Sequence, residues 1–95
     1  MDIQNEEIKR YILGEDPKIT TIVNDTNPDS VTITIKDPSN ATLVDEANMT
    51  LVTSEVYQYI FSTTTSYLEG IYEATVTVTS GGNEDKDRIK FEMYT

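Results

Sequence analysis

Oxygen ligands are the only acid–base or metal-binding chemistry this chain holds in quantity, because its 95 residues include 17 Asp and Glu but no histidine and no cysteine. One group of them has a suggestive spacing. Asp25-x-Asn27-x-Asp29 places an oxygen at every second residue, as the opening of a calcium loop does, where alternate side chains converge on one hard cation. The rest of that pattern is missing. Ser30 stands where the loop needs glycine, Pro28 stiffens it, and Lys36 takes the place of the closing bidentate glutamate. Asp25, Asn27 and Asp29 are therefore weak metal candidates, and their first reading is as turn formers ahead of a strand. Glu84, Asp85 and Asp87 form a second acidic patch, which is read as solvated.

Without histidine or cysteine, Ser-His-Asp and Cys-His catalysis and the usual zinc sites are excluded by composition. A glycosidase pair needs two carboxyls at a defined separation in a cleft, whereas the acids here gather in turns and near the termini. The expectation is a non-enzyme with no catalytic residue and no cofactor. Asn24-Asp25-Thr26, Asn40-Ala41-Thr42 and Asn48-Met49-Thr50 match the glycosylation acceptor triplet, a pattern that arises by chance in a chain rich in Asn and Thr.

Charge narrows the partners. The net charge is -10, so a phosphate backbone meets repulsion where nucleic-acid binders gain affinity from counterion release. Nucleic acid is not an expected partner. Neither is a bilayer, since Asp2, Glu6, Glu7, Lys9 and Arg10 interrupt the first twelve residues and leave neither a signal-peptide core nor a membrane span there. The length suits one small domain, and 37% apolar residues suffice for a two-layer core.

The elements that would position any site differ along the chain. Asn5 is a good N-cap, Glu6 and Glu7 suit a helix start, and Ile8, Tyr11 and Ile12 fall at helical spacing before Gly14. This predicts a short amphipathic helix or arm over roughly residues 5–13, with Ile8, Tyr11 and Ile12 as the stripe that docks on a neighbour. After Pro17 the period becomes two. Ile19–Val23 is a short β-prone run. Val31, Ile33 and Ile35 share one face, and Thr32, Thr34 and Lys36 the other. Thr42–Val44 and Met49–Thr53 are brief strands separated by a loop at residues 45–48. Tyr57, Tyr59 and Phe61 alternate with Val56, Gln58 and Ile60. Tyr72, Ala74, Val76 and Val78 alternate with Glu73, Thr75, Thr77 and Thr79. A loop over Ser80–Lys86 then leads into Arg88–Tyr94, with Ile89, Phe91 and Met93 inward. Threonine rows (Thr32 with Thr34, and Thr75 with Thr77 and Thr79) form flat uncharged faces that another protein can approach closely.

Leu68-x-Gly70-x-Tyr72-x-Ala74-x-Val76 resembles the tyrosine corner that opens strand F of immunoglobulin-like domains, whose tyrosine hydroxyl bonds back to upstream backbone. Tyr72 takes that role by resemblance. Ala74 stands where antibody domains carry cysteine, and there is no tryptophan, so the likeness is to disulfide-free modules of prokaryotic surface proteins, macroglobulin-type domains and tailed-virus structural proteins. The expected fold is all-β, an immunoglobulin-like antiparallel β-sandwich of about seven strands, with residues 1–16 as a short N-terminal helix or arm and residues 17–95 as the sandwich. The expected role is a structural or protein-interaction module in a larger assembly such as a virus particle. Its partners would be other protein subunits, further copies of the chain included. The alternative is an accessory domain of a cell-surface protein that binds a glycan, a protein or calcium.

Strong self-repulsion has a measurable consequence. The melting temperature followed by circular dichroism should rise between about 0.01 M and about 0.15 M salt as the acids are screened. An unchanged or lower value would mean that the acids are already well paired.

Overall fold

The computed structural model describes residues 9–24 and 28–95, so Ile8, Asp25 and Asn27 lie outside the described residues. Among the described residues eight strands follow one another: β1 (Lys9–Ile12), β2 (Lys18–Ile22), β3 (Ser30–Lys36), β4 (Thr42–Asn48), β5 (Thr50–Thr53), β6 (Val56–Ile60), β7 (Gly70–Ser80) and β8 (Asn83–Tyr94). They make two sheets, a five-stranded one in the order β1-β8-β7-β3-β4 and a three-stranded one in the order β2-β6-β5. The fold is an all-β, sandwich-like pair of layers. Among the described residues every strand pairing is antiparallel except β1 with β8, which is parallel.

Period-two alternation decides which side of each strand is covered. In β3 the side chains of Val31, Ile33 and Ile35 are buried while their neighbours are half-exposed. In β7, Tyr72, Ala74 and Val76 are buried likewise. With Ile19, Met49, Phe61, Phe91 and Met93 from the other strands and loops, these residues build one core. A core of this size must be well packed, since no disulfide supplements it.

Lys9–Ile12 is a strand where helical spacing predicted a helix. A helix of about nine residues has too few internal hydrogen bonds to stand unaided, and β8 offers a ladder instead. Leu13 N–H extends that ladder to the Tyr94 carbonyl (2.7 Å). The chain then crosses to the small sheet. Gly14 takes a positive φ of 100°, a region open to glycine. Gly14 N–H donates to Thr63 Oγ1 (3.0 Å), whose own hydroxyl donates to the Glu15 carbonyl. Phe61 N–H meets the carbonyl of buried Pro17 (2.9 Å).

Two expected loops are largely strand. The loop placed over Ser80–Lys86 is a tight turn at Gly81 and Gly82, both at positive φ (57° and 86°), with Ser80 already paired to Asn83. Two glycines satisfy a two-residue hairpin turn, so the strands run to its edge. The loop placed at residues 45–48 lies inside β4, and register shifts between Ile33 and Lys36 mark where the ladder absorbs the irregularity. Glu46, at a φ of 49°, takes up the bend.

Gly70 begins β7 at a φ of 135°, and a Cβ there would lie 2.8 Å from Pro38 Cγ. Gly70→Ala should therefore lower unfolding free energy in urea by roughly 1–3 kcal/mol from backbone strain, with the overlap adding to it. An unaffected midpoint would show that the Pro38 loop yields freely.

Candidate functional site

The most constructed part of the molecule is the corner that leads into β7. Tyr72 is fully buried, and its hydroxyl donates to the Leu68 carbonyl at 2.7 Å. Its ring stacks on Phe91 (centroids 5.5 Å apart, planes 23° apart) and lies 6.0 Å from Phe61, which in turn meets Phe91 edge-on at 6.0 Å. Burial pushes the Tyr72 hydroxyl above its ordinary pKa, and the nearby charges of Asp37 and Tyr67 add to the rise. Asp37 closes the adjoining turn. Its carboxylate accepts from Ser39 Oγ (2.6 Å), Ser39 N–H (2.9 Å) and Ala41 N–H (3.0 Å). The Ser39 hydroxyl is foremost in holding the Asp37 carboxyl below the usual carboxylate range. These groups satisfy one another, and what they do is hold the chain.

Of the proposed interaction stripe, the structure describes Tyr11 and Ile12. Ile8 is outside the described residues, and neighbours on a strand point to opposite sides. Tyr11 turns inward and meets Phe91 edge-on (6.1 Å, 80°), whereas Ile12 is 48% exposed. Asp25 and Asn27 are also outside the described residues. Asp29 is engaged structurally, its Oδ2 accepting from Gly81 N–H (3.1 Å) and its N–H bonding the Thr79 carbonyl (2.7 Å). Among the described residues no group of three acidic side chains is placed to hold a metal ion. The patch of Glu84, Asp85 and Asp87 is split by the pleat, with Asp85 and Asp87 opposite inward-facing Val78 and Val76, and Glu84 opposite Thr79. The threonine rows do meet, Thr32 beside Thr77 and Thr34 beside Thr75.

Two surfaces were not singled out by residue type. The first is the outer face of the small sheet. Register places Lys18, Thr20 and Ile22 of β2 beside Ile60, Gln58 and Val56 of β6, with Thr50 and Thr53 of β5 beyond. Ile22 is 68% and Ile60 51% exposed, and no acid stands among these eight residues although the chain has 17. The signal was present as a second apolar alternation, Val56 and Ile60, out of phase with the aromatic one. The second is a groove between β2 and β8 with Ile19, Ile89 and Phe91 in its walls and charges of both signs along it, Lys18, Arg88 and Lys90 with Glu73 and Asp87. The stacking of the two sheets creates that groove.

No protein-family model and no curated protein matches this sequence.

Tyr72→Phe removes the hydroxyl alone and should cost roughly 1–2 kcal/mol in denaturant unfolding. A tyrosine whose folded pKa is raised contributes its full stability below the unfolded value. That contribution is lost as pH climbs through the folded value, because the unfolded hydroxyl ionises first. The wild-type melting temperature should thus fall more steeply above pH 10.0 than that of the phenylalanine variant. Parallel curves would refute the assignment.

Proposed function

We propose that the chain is a non-enzymatic structural module, a disulfide-free immunoglobulin-like sandwich that serves as a subunit of a larger assembly such as a virus particle. Two features support the immunoglobulin-like reading. A β8-β7-β3 sheet opposite β2-β6-β5 follows the G-F-C and B-E-D arrangement of that fold, with β4 as an added C′ strand. Tyr72 stands just inside β7 with its hydroxyl on the backbone four residues upstream, as the tyrosine of a tyrosine corner does.

The observation that carries the role is the outer face of the small sheet. It combines exposed Ile22 and Ile60 with an absence of acids, in a chain whose net charge is -10. Two copies carry the same net charge and repel each other at long range. Contact costs least electrostatically where acids are missing, and it gains from burying the isoleucines. The partner is accordingly a second copy of the chain, meeting it through this face.

Sedimentation velocity from micromolar to millimolar concentration is the test. The wild type should self-associate, and more so as salt is raised, whereas Ile22→Lys combined with Ile60→Lys should remain monomeric with an unchanged circular dichroism spectrum. A wild type that stays monomeric at every concentration and salt would overturn the reading.

A further inference from the structure

Register is unbroken between β1 and β8, β8 and β7, β7 and β3, and β2 and β6. Among the described residues every shift falls on β4 or β5. These two strands each end a sheet and are joined through Met49 alone, so they form one flank of the sandwich.

That flank is exposed and β-prone. All four residues of β5 are exposed, as are Thr42, Leu43, Asp45, Glu46 and Asn48 of β4. Thr-Leu-Val occurs in both strands, at 42–44 and at 50–52, and Leu51 and Val52 are each 55% exposed. Exposed edge strands of such composition are templates on which other chains add a strand. A bulge counters this, because its extra residue interrupts the row of backbone donors and acceptors and twists the edge away.

In β4 the extra residue has no place in the core. Ile35 is opposite Val44 and Ile33 opposite Ala47, so Asp45 and Glu46 together stand opposite Thr34. The alternation of inward and outward residues needs only one of them. Without Glu46, the residues Val44, Asp45, Ala47 and Asn48 would fall opposite Ile35, Thr34, Ile33 and Thr32 in regular sequence, and Val44 and Ala47 would keep their places against the core. Glu46 is also held at a φ of 49°, a conformation that costs stability in any residue but glycine. Its N–H donates to the Thr34 hydroxyl (3.1 Å), a side chain where a ladder would offer a carbonyl. A residue that the core does not use, kept in a costly conformation on an exposed edge, has its role at that edge.

We propose that Glu46 guards the edge of β4: the extra residue it inserts keeps this strand from pairing with a strand of another chain. Association is thereby confined to the faces of the sandwich. The proposal holds whether or not the small-sheet face self-associates, because β4 belongs to the other sheet.

Deletion of Glu46 is the test, made in full-length protein that also carries Ile22→Lys and Ile60→Lys, so that the small-sheet face does not contribute. Compared with the same protein retaining Glu46, the deletion should leave the melting temperature of the monomer unchanged or higher. It should also bring concentration-dependent association in sedimentation velocity, with amides of residues 42–48 exchanging several-fold more slowly as the oligomer forms. Glu46→Gly relieves the same strain but keeps the extra residue, and should stay monomeric. A deletion variant that is folded and monomeric up to millimolar concentration, or that associates without slower exchange in β4, would overturn the proposal. Failure of the deletion variant to fold would overturn it too, by showing that the fold itself requires Glu46. Association of Glu46→Gly would do the same, by placing the guard in the charge and not in the bulge.

Discussion

The two layers are joined where Phe61, Tyr72 and Phe91 meet. Phe61 follows β6 of the small sheet, whereas Tyr72 and Phe91 are cross-strand partners on β7 and β8 of the large one. Aromatic side chains bury more area than any others, and pairs at these separations add a further increment beyond area. With no disulfide to tie sheet to sheet, this contact carries the role that a bridge has elsewhere. Tyr11 and Tyr67 extend it, each packing on one of its rings. The Tyr72 hydroxyl lets a polar group sit at the centre without penalty, because the Leu68 carbonyl satisfies it.

From that contact outward the chain is organised by how it enters and leaves each sheet. The crossing from β1 to β2 depends on Thr63, which is buried and fully hydrogen-bonded to the Gly14–Asp16 turn. At the other end Asp29 fastens the segment before β3 to the Gly81–Gly82 turn. Asp16 and Asp29 thus serve where turns need acceptors. Basic residues are concentrated on the outer face of the large sheet: Arg10, Lys36, Lys86, Arg88 and Lys90 all register onto it, five of the chain's seven, interleaved with Glu73, Glu84 and Glu92.

How far the sequence could be read follows from the range of the forces involved. The inward residues of β3, β7 and the second half of β8 were readable because one face is core and one is wet, and a period of two records that directly. The aromatic alternation around Phe61 and the local hydroxyl bond of Tyr72 span few residues and were equally accessible. β1 was not. Ile8, Tyr11 and Ile12 have helical spacing, and what makes Lys9–Ile12 a strand is a partner 82 positions away. Similarly, Gly81 and Gly82 looked like part of a long polar loop, although their backbone freedom permits the shortest hairpin. Candidate surfaces were the least readable. The small-sheet face needs the phase of two strands relative to each other, and the groove beside β8 needs the order of strands in space.

Proton–proton contacts within the aromatic cluster test the central contact most directly. Nuclear Overhauser spectra of the full chain should connect the ring of Phe61 to the rings of both Tyr72 and Phe91. Cross-peaks between Tyr72 and Phe91 alone, with Phe61 connected to neither, would leave the two sheets without their junction and contradict this account.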